Sequence, residues 1–336
     1  MTEAGVRRLI EGCWHLVAHR SELAKPRDFL RLTWAAGEIV AYNDHGRIIA
    51  FDNVCPHRGT RFFTDDAGNA PARCPYHGWT YRAGDLRIPP HQQPQGCARP
   101  PALNAFETTW CGDFLFVSPA PAQSLEGQLG DLFGRVADIS ADIDGRGDFN
   151  AYPFECDWRV AVENALEADH VDLIHPDTLG TLKLAPGRFE FAAMNSTWLT
   201  EVTDARTVKG LEAVGRYFDV AHAHRGYTNL FLFPFAMLSS TYGYSYSLQL
   251  FLPGRTPGLT HFSSRLLGGR TKVAADHPVV ASLFSSTADL NRRIFDEDHQ
   301  ICRRISPAYD MAAADRLFGA AEERLRHFQT TLASLA

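Results

Sequence analysis

The sequence predicts an α+β fold in two parts: an all-β N-terminal domain over residues 1–120, then a second domain over residues 121–336 built from an antiparallel sheet and helices. Three observations carry this. The 336 residues are about twice the length of an ordinary single domain. Short apolar runs separated by turn residues fill residues 1–120, as in a small barrel or sandwich. Strand-like alternation over residues 187–270 then gives way to helical patterns.

In chain order, Glu38-Ile-Val-Ala-Tyr42, Ile48-Ile-Ala-Phe51 and Asp113-Phe-Leu-Phe-Val117 read as strands. Asn43-Asp-His-Gly46, Asp66-Ala-Gly68 and Ala83-Gly-Asp85 read as turns, and Pro119-Ala-Pro121 marks a boundary. Leu125 to Ile139 reads as a linker helix. Asp157 to His170 has helical character, with Trp158, Ala161, Ala165 and Leu166 available for packing. Large residues recur at every second position from Tyr242 to Leu250, which makes 242–252 the clearest strand. Helices are expected over 278–304 and 311–334.

Hydrophobic residues at 45% and charged residues at 21% describe a chain able to bury a full core without disulfides, and exclude disorder, collagen-like repeats and small disulfide scaffolds. The 33 Lys and Arg are scattered and the net charge is -6, so no nucleic-acid surface is expected. No stretch approaches the roughly 20 apolar residues of a membrane span. The N-terminus is charged and lacks the apolar core of a signal peptide, so a cytoplasmic location is expected. Seven cysteines, an odd number, argue against a disulfide framework and direct attention to metal ligands.

Two loops each carry one Cys and one His. Cys55-Pro-His57-Arg-Gly is followed, after a gap of sixteen residues from His57, by Cys74-Pro-Tyr-His77-Gly-Trp. Zinc fingers usually group Cys with Cys and His with His. Here Cys55 and Cys74 can take one metal while His57 and His77 take a second beside it. Two irons bridged by sulfide and held in this way make a Rieske centre, whose neutral imidazoles raise its potential. The flanking Pro and Gly suit tight loops. A structural zinc site, or a Cys55–Cys74 disulfide, is the competing reading. Cys13, Cys97, Cys111, Cys156 and Cys302 have no partner pattern and read as incidental thiols.

A second constellation lies in Glu163-Asn164-Ala-Leu-Glu167-Ala-Asp-His170-Val-Asp-Leu-Ile-His175-Pro. On a helix Glu163, Glu167 and His170 share one face. His175 stands just before Pro176, where a helix would loosen and let both imidazoles converge. Two His and one carboxylate form the facial triad of a non-haem Fe(II) site with open positions for oxygen. Asp298 is the first candidate for the carboxylate, Asp296 the second and Glu297 the third. Asn164 is expected to shape the iron pocket, with a helix-surface amide as the alternative. Trp79 is expected to pack the cluster loop. His15, His19, His91 and His299 read as surface residues without a role.

Together the C-x-H…C-x-x-H loops, the E-N-x-x-E-x-x-H-x4-H segment and the late acidic helix resemble the catalytic alpha subunit of a Rieske non-haem iron oxygenase, over nearly the whole chain. In style it is similar to the shorter, alpha-only monooxygenases and demethylases. The resemblance implies a Rieske [2Fe-2S] domain followed by a mononuclear-iron catalytic domain of helix-grip, START-like form, whose sheet cups a long helix over a substrate cavity. It implies a head-to-tail homotrimer, because the two centres of one chain are too far apart for electron transfer. It also implies a bridging carboxylate three residues before the first iron-ligand His. This sequence has Glu167 there, as the carnitine oxygenases do, and His77 is the cluster ligand expected to face Glu167 of the next chain.

No G-x-G-x-x-G fingerprint lies between a strand and a helix, so a separate ferredoxin or flavin reductase is the expected electron donor. Phe231-Leu-Phe-Pro-Phe-Ala-Met-Leu238 and the Tyr242–Phe251 strand are candidate cavity walls, with sheet core as the alternative. An aromatic wall would suit an aromatic or otherwise apolar small molecule, oxygenated with O2. The expected reaction is monooxygenation, by hydroxylation or oxidative demethylation. The alternatives are a quaternary-amine oxygenase, an arene cis-dihydroxylating dioxygenase, and a Rieske electron carrier without catalysis.

Overall fold

The computed structural model describes residues 2–34, 37–93, 100–274, 276–306, 308–309, 311 and 316–335. Helix α1 (Glu3–Gly12) is capped by Thr2, whose hydroxyl accepts from the Gly5 N–H, and leads into the first sheet. Its strands are β1 (His15–His19), β2 (Asp28–Trp34), β3 (Gly37–Asp44), β4 (Arg47–Asp52) and β5 (Ala67–Asn69), then β8 (Ala105–Cys111) and β9 (Phe114–Ser118). They are ordered β1-β9-β8-β4-β3-β2-β5, all antiparallel, while β6 (Thr80–Arg82) and β7 (Asp85–Arg87) form a separate hairpin. The strands expected at 38–42, 48–51 and 113–117 fall within β3, β4 and β9 apart from Asp113.

The expected linker helix is two helices, α2 (Leu125–Leu129) and α3 (Leu132–Ala141), because Gly130 turns the chain with φ of 55°. After them come β10 (Ile143–Phe154), α4 (Trp158–Leu166), α5 (Val171–Ile174), β11 (Arg188–Ala192), β12 (Asn195–Thr200) and α6 (Ala205–Gly215). The chain then runs through β13 (Tyr227–Leu232), β14 (Ala236–Thr241), β15 (Ser245–Pro253) and β16 (Thr260–Gly269). It closes with α7 (Pro278–Cys302) and α8 (Glu323–Leu335). The second sheet is antiparallel in the order β10-β16-β15-β14-β13-β12-β11. The 311–334 helix begins only at Glu323, and residues 312–315 lie outside the described residues. Tyr242 and Gly243 are not strand: both take left-handed φ, 58° and 72°, in the turn between β14 and β15.

Alternation sorts the second sheet into two faces. One face carries Tyr246, Leu248 and Leu250 of β15 into the core shared with the first domain. There His15 stacks on Phe235 at 5.5 Å, and Gln128 of α2 bonds both Trp14 and Phe233 backbone oxygens at 2.7 and 2.9 Å. The other face is covered by helices. Phe295 of α7 meets Phe262 of β16 at 5.0 Å, and Phe328 of α8 meets Phe231 at 5.5 Å. The aromatic run 231–235 is therefore core: Phe233 packs on Phe328, and Phe235 on Trp158. His15 and His19, expected at the surface, are buried, each with Nε2 bonded to a backbone oxygen, of Ile10 and Ser140 respectively.

A buried ion pair ties the two sheets together. Glu22, beside β1, receives Arg265 of β16 at 2.9 Å, with both side chains 1% exposed. Removing one partner strands the other charge away from water. Glu22→Ala should therefore lower unfolding free energy by about 3–5 kcal/mol, read from urea denaturation followed by far-UV circular dichroism.

Candidate functional site

The two Cys/His loops have the same backbone. In one, the Gly59 N–H donates to the Cys55 oxygen at 2.9 Å; in the other, Gly78 donates to Cys74 at 3.0 Å. Both glycines take φ near 75° (75° and 76°), a conformation that a side chain would strain. The sequence places Gly four residues after each Cys for this reason. Cys55 and Cys74 are buried and close enough to hydrogen-bond, and burial pushes the Cys55 thiol up. His57 and His77 stand outward of them with ring centroids 4.6 Å apart. Trp79 stacks flat on His57 at 4.7 Å and anchors its indole N–H on Gln92.

One observation tests whether these loops suit a cluster. The Nδ1 atoms of both His57 and His77 are buried and lack a hydrogen-bond partner. Two orphaned imidazole nitrogens beside two paired thiols are what a metal with two N and two S ligands would satisfy. A disulfide would leave both nitrogens unpaired.

In the second domain α4 starts at the Asp157 cap and ends at Leu166. The helix expected to run on to His170 stops because Glu167 turns extended and its carboxylate takes over the next backbone N–H groups. One oxygen accepts from Asp169 at 2.6 Å and His170 at 3.2 Å. The other oxygen takes Nδ1 of His170. Glu163, Glu167 and His170 thus do not share a helix face. Glu163 instead pairs with Arg316 at 2.6 Å. His170 and His175 flank the single turn of α5.

Helix α7 brings the acidic segment across. His170, His175 and Asp298 present ligand atoms within 4.8 Å of one another. Asp298 Oδ1 lies 3.0 Å from His175 Nε2 and 3.5 Å from His170 Nε2. Asn164 donates to the same oxygen at 2.7 Å, so it is not a helix-surface amide. Asp296 is exposed on the far side of α7. Glu297 holds Nδ1 of His175 at 2.7 Å and accepts from the Thr178 hydroxyl at 2.6 Å. Each imidazole thus has one nitrogen fixed by a glutamate and the other turned to the gap, an arrangement that orients metal-binding histidines. Sequence reasoning treated Glu297 only as a spare ligand. Its place beside Asp298 on α7 was the available signal, but Thr178 gave none.

Enclosure alone would push Asp298 up, yet hydrogen bonds from His170 and His175 hold it down at about 2. Enclosure would push His170 down, and the bonds to Asp298 and Glu167 raise it to about 9 instead. Beside this gap lies a cavity of about 190 Å3. Ile294 and Phe295, a turn before Asp298, line one side, and Ser239, Ser247 and Gln249 line the other. None of Phe231 to Leu238 reaches it. From 242–251 it takes Tyr244, Ser245, Ser247 and Gln249, and not Tyr242, Tyr246, Leu248 or Leu250.

A Rieske [2Fe-2S] domain model matches residues 13–107, and the model for the catalytic domain of ring-hydroxylating alpha subunits matches residues 132–336, more than half the chain. The chain belongs to the Rieske ring-hydroxylating oxygenase alpha-subunit family. Its cofactors are accordingly a Rieske [2Fe-2S] cluster and a mononuclear iron. Choline monooxygenase of Arabidopsis thaliana is 24% identical over 97% of this chain and 78% of its own length. The alpha subunit of toluate 1,2-dioxygenase of Pseudomonas putida is 27% identical over 51% of this chain, which spans only 41% of that relative. The crystal structure of the quaternary ammonium Rieske monooxygenase CntA with L-carnitine superposes with a TM-score of 0.76. It is 18% identical, over 99% of this chain and 91% of that one, and so supports the fold. Among the described residues no helix is long and apolar enough to cross a membrane.

The raised His170 value carries a pH consequence. In the metal-free protein the charged His170 stabilises the fold fully below its ordinary 6.5 and stops doing so as pH rises through about 9. Bound iron takes the imidazole neutral and removes that dependence. Melting temperatures of the metal-free Rieske oxygenase should thus fall from pH 6 to 10 more steeply than those of the iron-loaded protein.

Proposed function

We propose that the chain is the oxygenase component of a Rieske system that monooxygenates an uncharged small organic molecule, by hydroxylation or oxidative demethylation. The convergence of His170, His175 and Asp298 beside a cavity carries this reading. When bound, the cluster supplies single electrons and the mononuclear iron supplies activation of O2. Cys55, Cys74, His57 and His77 would hold the cluster, and His170, His175 and Asp298 the mononuclear iron. Asn164 orients the Asp298 carboxylate, and Glu167 and Glu297 hold the imidazoles by Nδ1, which leaves each Nε2 turned toward Asp298, where it could ligate iron. A division between the domains near residue 120 agrees with the end of β9 at Ser118.

An aromatic or otherwise apolar, uncharged substrate is favoured by the lining. Among the described residues no Asp, Glu, Lys, Arg or His lines the cavity. A zwitterion such as carnitine, or an aryl carboxylate, would leave a charge unpaired there. A quaternary amine without a carboxylate is the second reading, supported by the Tyr227, Tyr244 and Phe295 rings.

A head-to-tail homotrimer is supported by apolar side chains left in water at both centres. Val54 and Tyr76 on the cluster loops are 48% and 62% exposed, and Leu173 between His170 and His175 is 82% exposed. In such a ring Glu167 would bridge His170 to His77 of the next protomer. Electrons would come from a separate ferredoxin or flavin reductase.

The direct test is anaerobic reduction of the metal-loaded protein followed by a single turnover on adding O2 with arene and amine substrates. Oxygenated product from a neutral arene is the expected result, and full reduction without product from any substrate would overturn the reading. Glu167→Ala should keep the cluster absorbance and the iron content while slowing turnover about 10–100-fold. His170→Ala should lose one iron in three by metal analysis while the cluster absorbance stays.

A further inference from the structure

The helix-covered face of the second sheet carries polar side chains that neither metal centre uses. Ser239, Ser247 and Ser264 are 8%, 6% and 3% exposed. Gln249 pairs in register with Met237 and Ser264 on the neighbouring strands. Its Nε2 donates to Ser239 Oγ at 3.2 Å and Ser247 Oγ at 3.4 Å, and Ser247 and Ser264 hydroxyls meet at 3.4 Å. Among the described residues no hydrogen bond reaches Gln249 Oε1. Buried hydroxyls are costly on a sheet face that could be apolar, unless something needs them. Opposite them Leu290, Ile294 and Phe295 of α7 supply an apolar wall.

We propose that Gln249 is the specificity-determining residue of this cavity: its amide oxygen accepts a hydrogen bond from an N–H or O–H of an uncharged substrate whose apolar body lies against Leu290, Ile294 and Phe295. This rests on the reading of the cavity as the substrate site of the oxygenase. Ser239 and Ser247 hold the amide nitrogen, which turns the oxygen away from them and fixes its orientation. A substrate lacking the donor would leave that oxygen unpaired, and such a loss discriminates far more strongly than a missing methylene in an apolar pocket. The donor would also set which edge of the substrate turns toward His170, His175 and Asp298, and so the position oxygenated.

Indole and indene test this, since they share shape and differ by N–H against CH2. Both are titrated calorimetrically into the iron-loaded protein without O2, alongside choline. Indole should bind at least about tenfold tighter than indene. Gln249→Leu should abolish that ratio while indene binds as before, and Ser239→Ala should shrink it. Cluster absorbance and melting temperature check that both variants fold. Equal binding of indole and indene, binding of neither, tighter binding of choline, or a ratio that survives Gln249→Leu overturns the proposal. A ratio that behaves as expected while O2 yields no product supports this recognition and counts against oxygenation instead.

Discussion

One carboxylate organises the second domain. Asp298 is held away from bulk water, where an unpaired charge would be untenable. Its Oδ1 therefore gathers partners from separate parts of the chain: His170 and His175 around α5, and Asn164 from α4. Each imidazole is in turn fixed from behind by a glutamate, Glu167 or Glu297. The result is a compact set of ligand atoms, all within 4.8 Å of one another.

The rest of the architecture serves that convergence. Strand β15 sends Tyr246, Leu248 and Leu250 toward the first domain and Ser247 and Gln249 toward the helices, where the cavity lies. Helix α7 spans this face and carries both the apolar cavity wall and Asp298. The first domain holds a second donor set in two loops closed by the same Gly-to-Cys backbone hydrogen bond, and the Glu22–Arg265 pair ties it to the sheet. Apolar residues are exposed at both centres: Val54 and Tyr76 on the cluster loops and Leu173 between His170 and His175.

Much of this was legible in the residues. The Cys55/His57 and Cys74/His77 loops were readable because their ligands and glycines are close in sequence, and each loop is a local structure. The strands were readable from alternation. Less visible was the break after Leu166. Helical spacing placed Glu163, Glu167 and His170 on one face, but the Glu167 carboxylate competes for the backbone N–H groups ahead of it and ends the helix. Local propensity does not price such a bond. The aromatic run from Phe231 to Phe235 pointed to a cavity wall for the same kind of reason: composition says a segment is apolar, not what packs on it.

By itself, then, the sequence indicated the two-part α+β architecture, the paired Cys and His of the two loops, and two histidines with a choice of three carboxylates for a mononuclear iron, since each follows from nearby spacing or from residue chemistry. Only the tertiary structure decided that Asp298 rather than Asp296 faces the imidazoles, that Glu297 steadies His175, and that the cavity is lined by uncharged serines, a glutamine and leucines. Those depend on which side of α7 and of β15 faces inward, and that is set by packing between elements far apart in the chain.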